Sequence, residues 1–579
     1  RPFTYVLPAG SEAGIGSLVQ VPFHGRRVKG WVTGPAEAVP ERVLEVTKVL
    51  SPVRSFDADM LRLLRWVGAR YVAPLAAVIA RAVPPRVVAE ESHPVPTDAR
   101  PSPRPSARPS SSSRLLEAYR GGPALIGALA GGSGTFRLRP SPEEEVDVAV
   151  EAVARCVAAG RGAIVLVPEA APVPATAVAI GETFGGRVAA MIGGDRRARY
   201  RTWLRILTGG CDIVVGTRPA VFAPLRDVGL IYVARESHPA HREDRAPYYH
   251  VRDVARARAE LADAVMVGAA LCPSAEFSRT PSTSVGPVGR RWPPVEVVRP
   301  GPEGRAPRLV RAVREARRGF LLSPIPGYGI AQVCRACGRP AACATCGGPL
   351  RASEGTVTCI VCEAPGACAR CGARRFGIRR GGAERVEEWA AAVAAVQVRR
   401  VSSPGRARLP RRDEILVGGA EAVRDLGAGG LDLVAILDAD LAERRPGLAA
   451  RERSVAVAME AIGWAWPGGR AIVQSSHPAD PAVQALVRGN AERFLADETA
   501  RREAAGFPVG APVFRVAGRP AIVGELERLQ PLTLLVSATG GQTICLLALE
   551  PRQLEGFGVA ARHLAARDVV SRVEAEPHL

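Results

Sequence analysis

Lysine is nearly missing from this sequence. Of 77 basic residues in 579, only Lys29 and Lys48 are lysine, and the other 75 are arginine. Lysine-dependent chemistry is therefore excluded beyond residue 48. The abundance of Ala, Gly, Pro and Val beside Arg points to codon bias towards G and C, which accounts for the choice of arginine but not for a net charge of +20. Long apolar runs are missing too. The longest uncharged stretch, 531–549, is broken by Ser537, Thr539, Gly540, Gly541 and Gln542, so it reads as two strands around a Gly-Gly turn rather than a bilayer span. The opening RPFTYVLPAG has neither an initiating Met nor the apolar core of a signal peptide, and reads as the interior of a domain that starts upstream. A dispersed disulfide framework is also missing. Eight of twelve cysteines crowd into 334–371, and Cys156, Cys211, Cys272 and Cys545 stand among apolar neighbours as inert core thiols do. The expectation is a cytoplasmic protein with a metal module and no membrane span.

What is present starts with a 47% apolar fraction, ample for several cores and incompatible with a wholly disordered chain. The length corresponds to about four domains. The basic excess favours nucleic acid as partner, with an anionic membrane surface as the competitor. Residues 1–52 alternate apolar and polar, predicting a small β-rich domain. Residues 57–83 have helical period, with Leu61, Leu64, Val67 and Tyr71 on an apolar face and Arg62, Arg65 and Arg70 off it. The stretch 92–113, within a linker drawn at 91–121, is rich in Pro, Ser and Arg and reads as a disordered basic tether.

Two stretches then alternate strand-like runs with helix-length segments, which predicts parallel sheets with crossover helices. The first, within 122–290, contains GAIVLVPE, CDIVVGT, GLIYVA and DAVMVGAA. The second, 291–333 and 372–504, contains EILVGG, LDLVAILDAD and RAIVQSS. Residues 505–579 read as a small α+β domain.

The cysteine cluster consists of four C-x-x-C knuckles: Cys334/Cys337, Cys343/Cys346, Cys359/Cys362 and Cys368/Cys371. Knuckles taken in pairs supply the four thiolates that tetrahedral Zn²⁺ prefers. Gly338, Gly347 and Gly372 follow three of them, relieving the turn. Gaps of 5, 12 and 5 residues favour a nested pairing. One zinc then falls to Cys334, Cys337, Cys368 and Cys371, the other to Cys343, Cys346, Cys359 and Cys362. Sequential pairing and an iron–sulfur site are the alternatives. With every position filled by sulfur, such metals serve folding and surface shape rather than hydrolysis.

Several segments in order carry a family resemblance: FTYVLPAG with VPFHGRRVKGWV, LLRWVGARYVAPLAAVIARAVP, LVPEAAPVP, the Arg199–Trp203 segment, CDIVVGTRPAVFAPLRDVGLIYV, APYYHVRDVARARAE, the zinc spacing, GGAERVEE, EILVGG, LDADLAERRPGLAARERS and FPVGAPV. Over nearly its whole length the chain resembles the PriA-type replication restart helicases (primosomal protein N′). The resemblance implies two RecA-like helicase lobes with an inserted double-zinc module at 334–371. A β-rich 3′-DNA-end-binding domain, a winged helix over 53–90 and a C-terminal α+β domain would flank them. It also implies an aromatic and basic pocket for a 3′ end formed by Phe3, Tyr5, Phe23, Arg26, Arg27 and Lys29. The chain departs from the family with Thr4 for Asp and His24 for the Gly that follows VPF.

The larger departures fall on the ATPase chemistry. The nearest glycine-rich loop, Gly131, Gly132, Ser133, Gly134 and Thr135, has no lysine for the β/γ-phosphates, and Arg137 is no substitute for a point charge. The family's Asp-Glu-Glu-His box reads Ala234, Arg235, Glu236, Ser237, and its Gly-Thr-Gln-Met box reads Gly418, Gly419, Ala420, Glu421. The box with phosphoryl-stabilising arginines reads AMEAIGWAW. No catalytic residue is left to assign, and ATP is not expected as a cofactor. The expectation is a replication restart protein that binds abandoned or stalled forks without helicase activity. Basic segments such as 194–201 and the pairs Arg374/Arg375 and Arg379/Arg380 would track phosphates. Primosome and helicase-loading proteins, with single-strand DNA-binding protein, are the implied partners. An active 3′–5′ helicase and a zinc-bearing scaffold for protein or RNA are the alternatives.

Overall fold

A computed structural model describes residues 3–36, 38, 40–91, 114–289, 291–301, 304–323, 331–337, 341–345, 350–353, 356–359, 363–378, 383–440, 447–539 and 542–577. The uncharged runs of the first α/β stretch become the strands Gly162–Leu166, Ile213–Gly216, Val228–Ala234 and Val265–Ala269, each buried throughout. They lie in an eight-stranded sheet whose order is Tyr119–Arg120, Thr283–Pro287, Gly134–Leu138, Val265–Ala269, Val228–Ala234, Gly162–Leu166, Ile213–Gly216, Val188–Met191. All neighbours pair in parallel except the short edge strand Tyr119–Arg120. Crossover helices cover both faces, which is why these strands read as continuous apolar runs rather than alternating ones. Alternate residues feed two different cores: Ile164, Val214 and Ile231 one, Ala163, Val215 and Leu230 the other.

The second lobe has six parallel strands in the order Val295–Val298, Arg470–Gln474, Leu433–Ile436, Arg318–Leu322, Glu414–Gly418, Gln397–Arg400. Before the first lobe, strands Ser17–Phe23, Arg26–Trp31 and Lys48–Arg54 form an antiparallel sheet. After the second lobe, Thr533–Thr539 and Gln542–Ala548 make the expected hairpin at one edge of a four-stranded antiparallel sheet packed with helix Leu554–Ala566. Phe514, Val516 and Phe557 of this C-terminal unit share one core with Leu61, Leu64 and Val67 and with the first lobe. Helix Ala58–Arg70 and the C-terminal unit therefore pack on the same face of the first sheet. Among the described residues no helix is long and apolar enough to cross a membrane.

Two expectations need correction, the outward placing of Arg70 and the end of the linker. Residues 57–83 form two helices, Ala58–Arg70 and Leu75–Ala82. Pro74 has no N–H to continue a ladder, and Val72 takes a left-handed φ of 51°. Leu61, Leu64, Val67 and Tyr71 are buried as the period predicts, but Arg70 is drawn inward by Glu576 at 2.9 Å. The linker drawn to 121 ends earlier. Helix Leu115–Ala118 and strand Tyr119–Arg120 belong to the first lobe because Leu116 and Tyr119 are apolar enough to enter its core. The tether reading of 92–113 lies outside the described residues.

Candidate functional site

A parallel α/β lobe binds nucleotide phosphates where a strand's C-terminal end turns into the following helix, so that free N–H groups and the helix dipole face the anion. The loop 131–135 cannot take that role. It lies between helix Gly122–Leu129 and strand Gly134–Leu138, and Gly134 and Thr135 are strand residues paired with Val265 and Met266. That is the opposite edge of the sheet. The phosphate position belongs to 139–144, which leads into helix Glu145–Ala158. This segment reads Arg-Pro-Ser-Pro-Glu-Glu, followed by Glu145. Carboxylates stand where a phosphate would, and they already satisfy the positive helix end. The loop is tied down as well. The Tyr119 hydroxyl donates to Glu144 Oε2 at 2.7 Å and accepts from the Ser141 N–H at 2.9 Å, and Arg291 donates to Glu144 Oε1 at 2.6 Å.

Arg235 stands against the start of that helix. Arg235, just past strand Val228–Ala234, is 3% exposed and holds a left-handed φ of 50°. Its guanidinium donates to both oxygens of Glu145 at 3.1 Å and, across the lobe boundary, to Glu460 Oε2 at 3.1 Å. Glu460 comes from helix Ala450–Gly463. Glu236, next in the box, is fully buried and accepts from Arg252 at 3.0 Å and from the Ser274 hydroxyl at 2.7 Å. Arg424 of the second lobe reaches Glu169 of the first at 2.7 Å, and Asp425 accepts from the Thr176 N–H at 3.2 Å. Burial raises the carboxyls of Glu460 and Asp425 above their ordinary range, against the pull of Arg235. Sequence reasoning missed Glu145 and Glu460. The signal was there: three consecutive glutamates after a strand, where a phosphate loop has glycine.

In the cysteine module, hairpin Ala331–Cys334 with Phe376–Ile378 encloses hairpin Leu350–Ser353 with Thr356–Cys359. The outer knuckles meet as the nested pairing requires. Cys334 Sγ lies 3.6 Å from Cys371 Sγ, Cys337 Sγ lies 3.7 Å from Cys368 Sγ, and all four sulfurs fall within 4.8 Å of one another. Such a group could hold a metal ion, and four thiols with no counter-cation between them are the donor set that tetrahedral zinc takes. Backbone N–H groups of Cys371 and Arg370 lower the Cys368 thiol to about 6, favouring the thiolate a metal binds. Gly372 takes φ 68°, as the knuckle turn demands, and after the third knuckle, Cys359/Cys362, Glu363 is forced to φ 57° without glycine's freedom. Cys343 and Cys359 are buried in the module core. Cys346, Cys362, Gly338 and Gly347 lie outside the described residues. The four scattered cysteines are buried, and desolvation pushes Cys156 up to about 12 and Cys211 up to about 11.

The six N-terminal residues do not form one pocket. The register Phe23↔Arg26 and Val21↔Val28 puts Phe23 and Arg26 on one face, whereas Pro22↔Arg27 and Gln20↔Lys29 put Arg27 and Lys29 on the other. Phe3, 62% exposed, stands edge-on to Phe23 at 4.9 Å, and the Tyr5 hydroxyl donates to the Pro22 carbonyl at 3.0 Å. Phe3, Tyr5, Phe23 and Arg26 thus cluster, and Arg27 and Lys29 lie across the sheet. None of the three cations is ion-paired among the described residues. His24 and Gly25 form a two-residue turn with φ 46° and 74°, a geometry glycine adopts freely and histidine does not.

The arginine-rich helix Arg196–Leu207 is partly spent on structure. Arg197 and Arg201 both bind Glu90, and Arg196 donates to the Arg86 carbonyl at 2.6 Å. Arg374 and Arg375 are exposed, and Arg379 and Arg380 lie outside the described residues.

Residues 1–84 match the family model described as the 3′DNA-binding domain of PriA. The chain is 30% identical to the probable replication restart protein PriA of Mycobacterium tuberculosis, over 91% of this chain and 86% of that one. It is 28% identical to the Mycobacterium leprae counterpart over 91% and 87%, and 27% identical to the replication restart protein PriA of Treponema pallidum over 88% and 83%. Among solved structures, Mycobacterium smegmatis helicase Lhr bound to ssDNA and AMP-PNP aligns at 15% identity over 76% of this chain and 51% of that one. Its TM-score is 0.29, too low to carry an argument. With two parallel lobes, a converging cysteine cluster, a matched 3′ domain and relatives spanning nine-tenths of its length, the chain belongs to the PriA family of replication restart proteins.

Proposed function

We propose that this replication restart protein recognises abandoned or stalled forks and promotes reloading of the replicative helicase without an ATP-driven motor of its own. The observation that carries the motor-less part is the cleft. At the phosphate position stand Glu143, Glu144 and Glu145, and Arg235 occupies the place of a metal's carboxylate shell. A nucleotide triphosphate would meet half-buried carboxylates where it needs cations, and like charges repel. The cluster of exposed Phe3 and Arg26 with half-buried Phe23 supports end recognition, with rings to stack on a terminal base and a cation for its phosphate. The cysteine module would hold two zinc ions, one on Cys334, Cys337, Cys368 and Cys371 and one on Cys343, Cys346, Cys359 and Cys362. It offers a rigid platform for primosome and helicase-loading proteins, with single-strand DNA-binding protein as a further partner.

The test is a set of titrations with forked and linear DNA, with and without ATP, beside an ATPase assay on clean protein. Tighter binding to forks, equal in both ATP conditions and weakening as salt rises, is expected. DNA-stimulated hydrolysis would restore the active-helicase reading. Fork binding insensitive to salt would remove the phosphate contacts and favour a scaffold for protein or RNA.

A further inference from the structure

Lack of ATP chemistry is equally compatible with an open, empty cleft, but the cleft is neither open nor empty. Leu271, Cys272 and Ala275 of the first lobe sit in the core of the second with Phe320, Met459 and Trp464. The loop at the phosphate position touches the other lobe directly: a Cβ on Gly463 would lie 3.2 Å from Pro142 and 3.2 Å from Leu271. Around that contact, charges cross the boundary in pairs. Arg235 joins Glu145 to Glu460, Arg424 joins Glu169, and Arg502 joins Glu276 of the first lobe to Glu452 of the second, each at 2.6 Å. The Ala275 N–H also donates to Glu452 at 3.0 Å.

Arg235 is the keystone of this set. It is a non-glycine residue in a left-handed conformation, a strain that persists only where surroundings over-determine it. The same fully buried guanidinium ties the first turn of the phosphate-position helix to the opposite lobe through charge-assisted hydrogen bonds. Domain closure around a ligand normally takes its differential free energy from that ligand. Here the chain supplies the bridging charges itself.

We propose that the Glu145–Arg235–Glu460 bridge is an internal substitute for nucleotide, holding the two lobes permanently closed so that the DNA-facing surface is preset rather than cycled. This goes beyond the motor-less reading and can fail while that reading stands. The lobes close without nucleotide, and adding nucleotide moves nothing.

Hydrogen–deuterium exchange on the full chain tests it, read at peptides covering 139–147 and 456–464, with the strand Val513–Gly518 as a fold control. In the unaltered protein, exchange at both peptides is expected to be slow and unchanged by millimolar AMP-PNP with Mg²⁺. Glu460→Arg, which sets two guanidinium groups against each other, is expected to speed exchange at both peptides at least tenfold and leave the control strand protected. Glu460→Gln, which keeps shape and loses charge, is expected to speed it severalfold and serves if the arginine variant fails to fold. Protection gained on adding AMP-PNP, or exchange unaltered in Glu460→Gln, would overturn the lock. Neither result depends on whether the protein hydrolyses ATP or binds forks.

Discussion

The cysteine module and the inter-lobe cleft both gather side chains that ordinarily hold ions, and they treat them oppositely. In the module, four sulfurs converge within 4.8 Å of one another with no cation of the chain between them. In the cleft, Glu145, Glu460 and Glu169 are buried or nearly so, yet each is met by an arginine at 2.7–3.1 Å. A group of like donors without an internal partner needs an external ion. A group already paired has no use for one, and would lose hydrogen bonds by admitting it.

The largest expected effect breaks the module side. Cys368→Ser removes one of four converging thiolates, and a structural zinc site contributes on the order of 10 kcal/mol to the folding of its own module. Mass-spectrometric metal analysis is expected to lose one zinc per chain, and limited proteolysis to cut within 334–371, while the urea transition of the lobes stays in place. Unchanged metal content would sink the assignment of this residue as a ligand.

On the cleft side, Arg235→Met leaves Glu145 and Glu460 buried without their cation. Removing one partner of a buried pair costs about 3–5 kcal/mol, so the urea midpoint of the lobes is expected to fall, with zinc content unaltered. A midpoint equal to that of the unaltered protein would show that the bridge contributes nothing. The smallest effect sharpens the comparison through pH. His241 is fully buried, its Nε2 2.8 Å from the Ala234 carbonyl oxygen, and burial pushes it down to about 3; His250 is likewise held well below its ordinary value. The unfolded chain takes up these protons near pH 6.5, and the folded chain refuses them until much lower pH. Their contribution is therefore complete above 6.5 and is lost as pH falls from there towards 3, on the order of 2 kcal/mol for His241 between 6.5 and 5. Urea midpoints at pH 7.5 and 5 are expected to differ in that direction, by the same amount in zinc-stripped protein. A flat profile would contradict the burial of these rings as neutral species.

Much of the fold was legible in the residues. The runs GAIVLVPE, CDIVVGT, GLIYVA and DAVMVGAA became central strands because sheets covered on both faces need unbroken apolar stretches. Val188–Met191 and Gln397–Arg400 escaped that reading because they are short edge strands, the first only partly buried and the second polar and mostly exposed. The break at Val72 and Pro74 was visible as a proline, yet the apolar period ran through it. At the sites, the C-x-x-C spacing was local and self-explanatory. The glycines of 131–135 misled, since glycine alone does not say which end of a strand it precedes. The N-terminal residues split because strand alternation separates Arg26 from Arg27 whatever their shared charge.

The near absence of lysine excluded a lysine-bearing phosphate loop after residue 48, and the cysteine spacing identified a module of paired knuckles, from sequence alone. Both conclusions rest on residue identity and short-range geometry, which the chain carries wherever it folds. Only the tertiary structure brought the charges of the cleft together. Glu145, Arg235 and Glu460 are 90 and 225 residues apart along the chain, and their charges acquire meaning only when two sheets close on each other and water leaves the space between them.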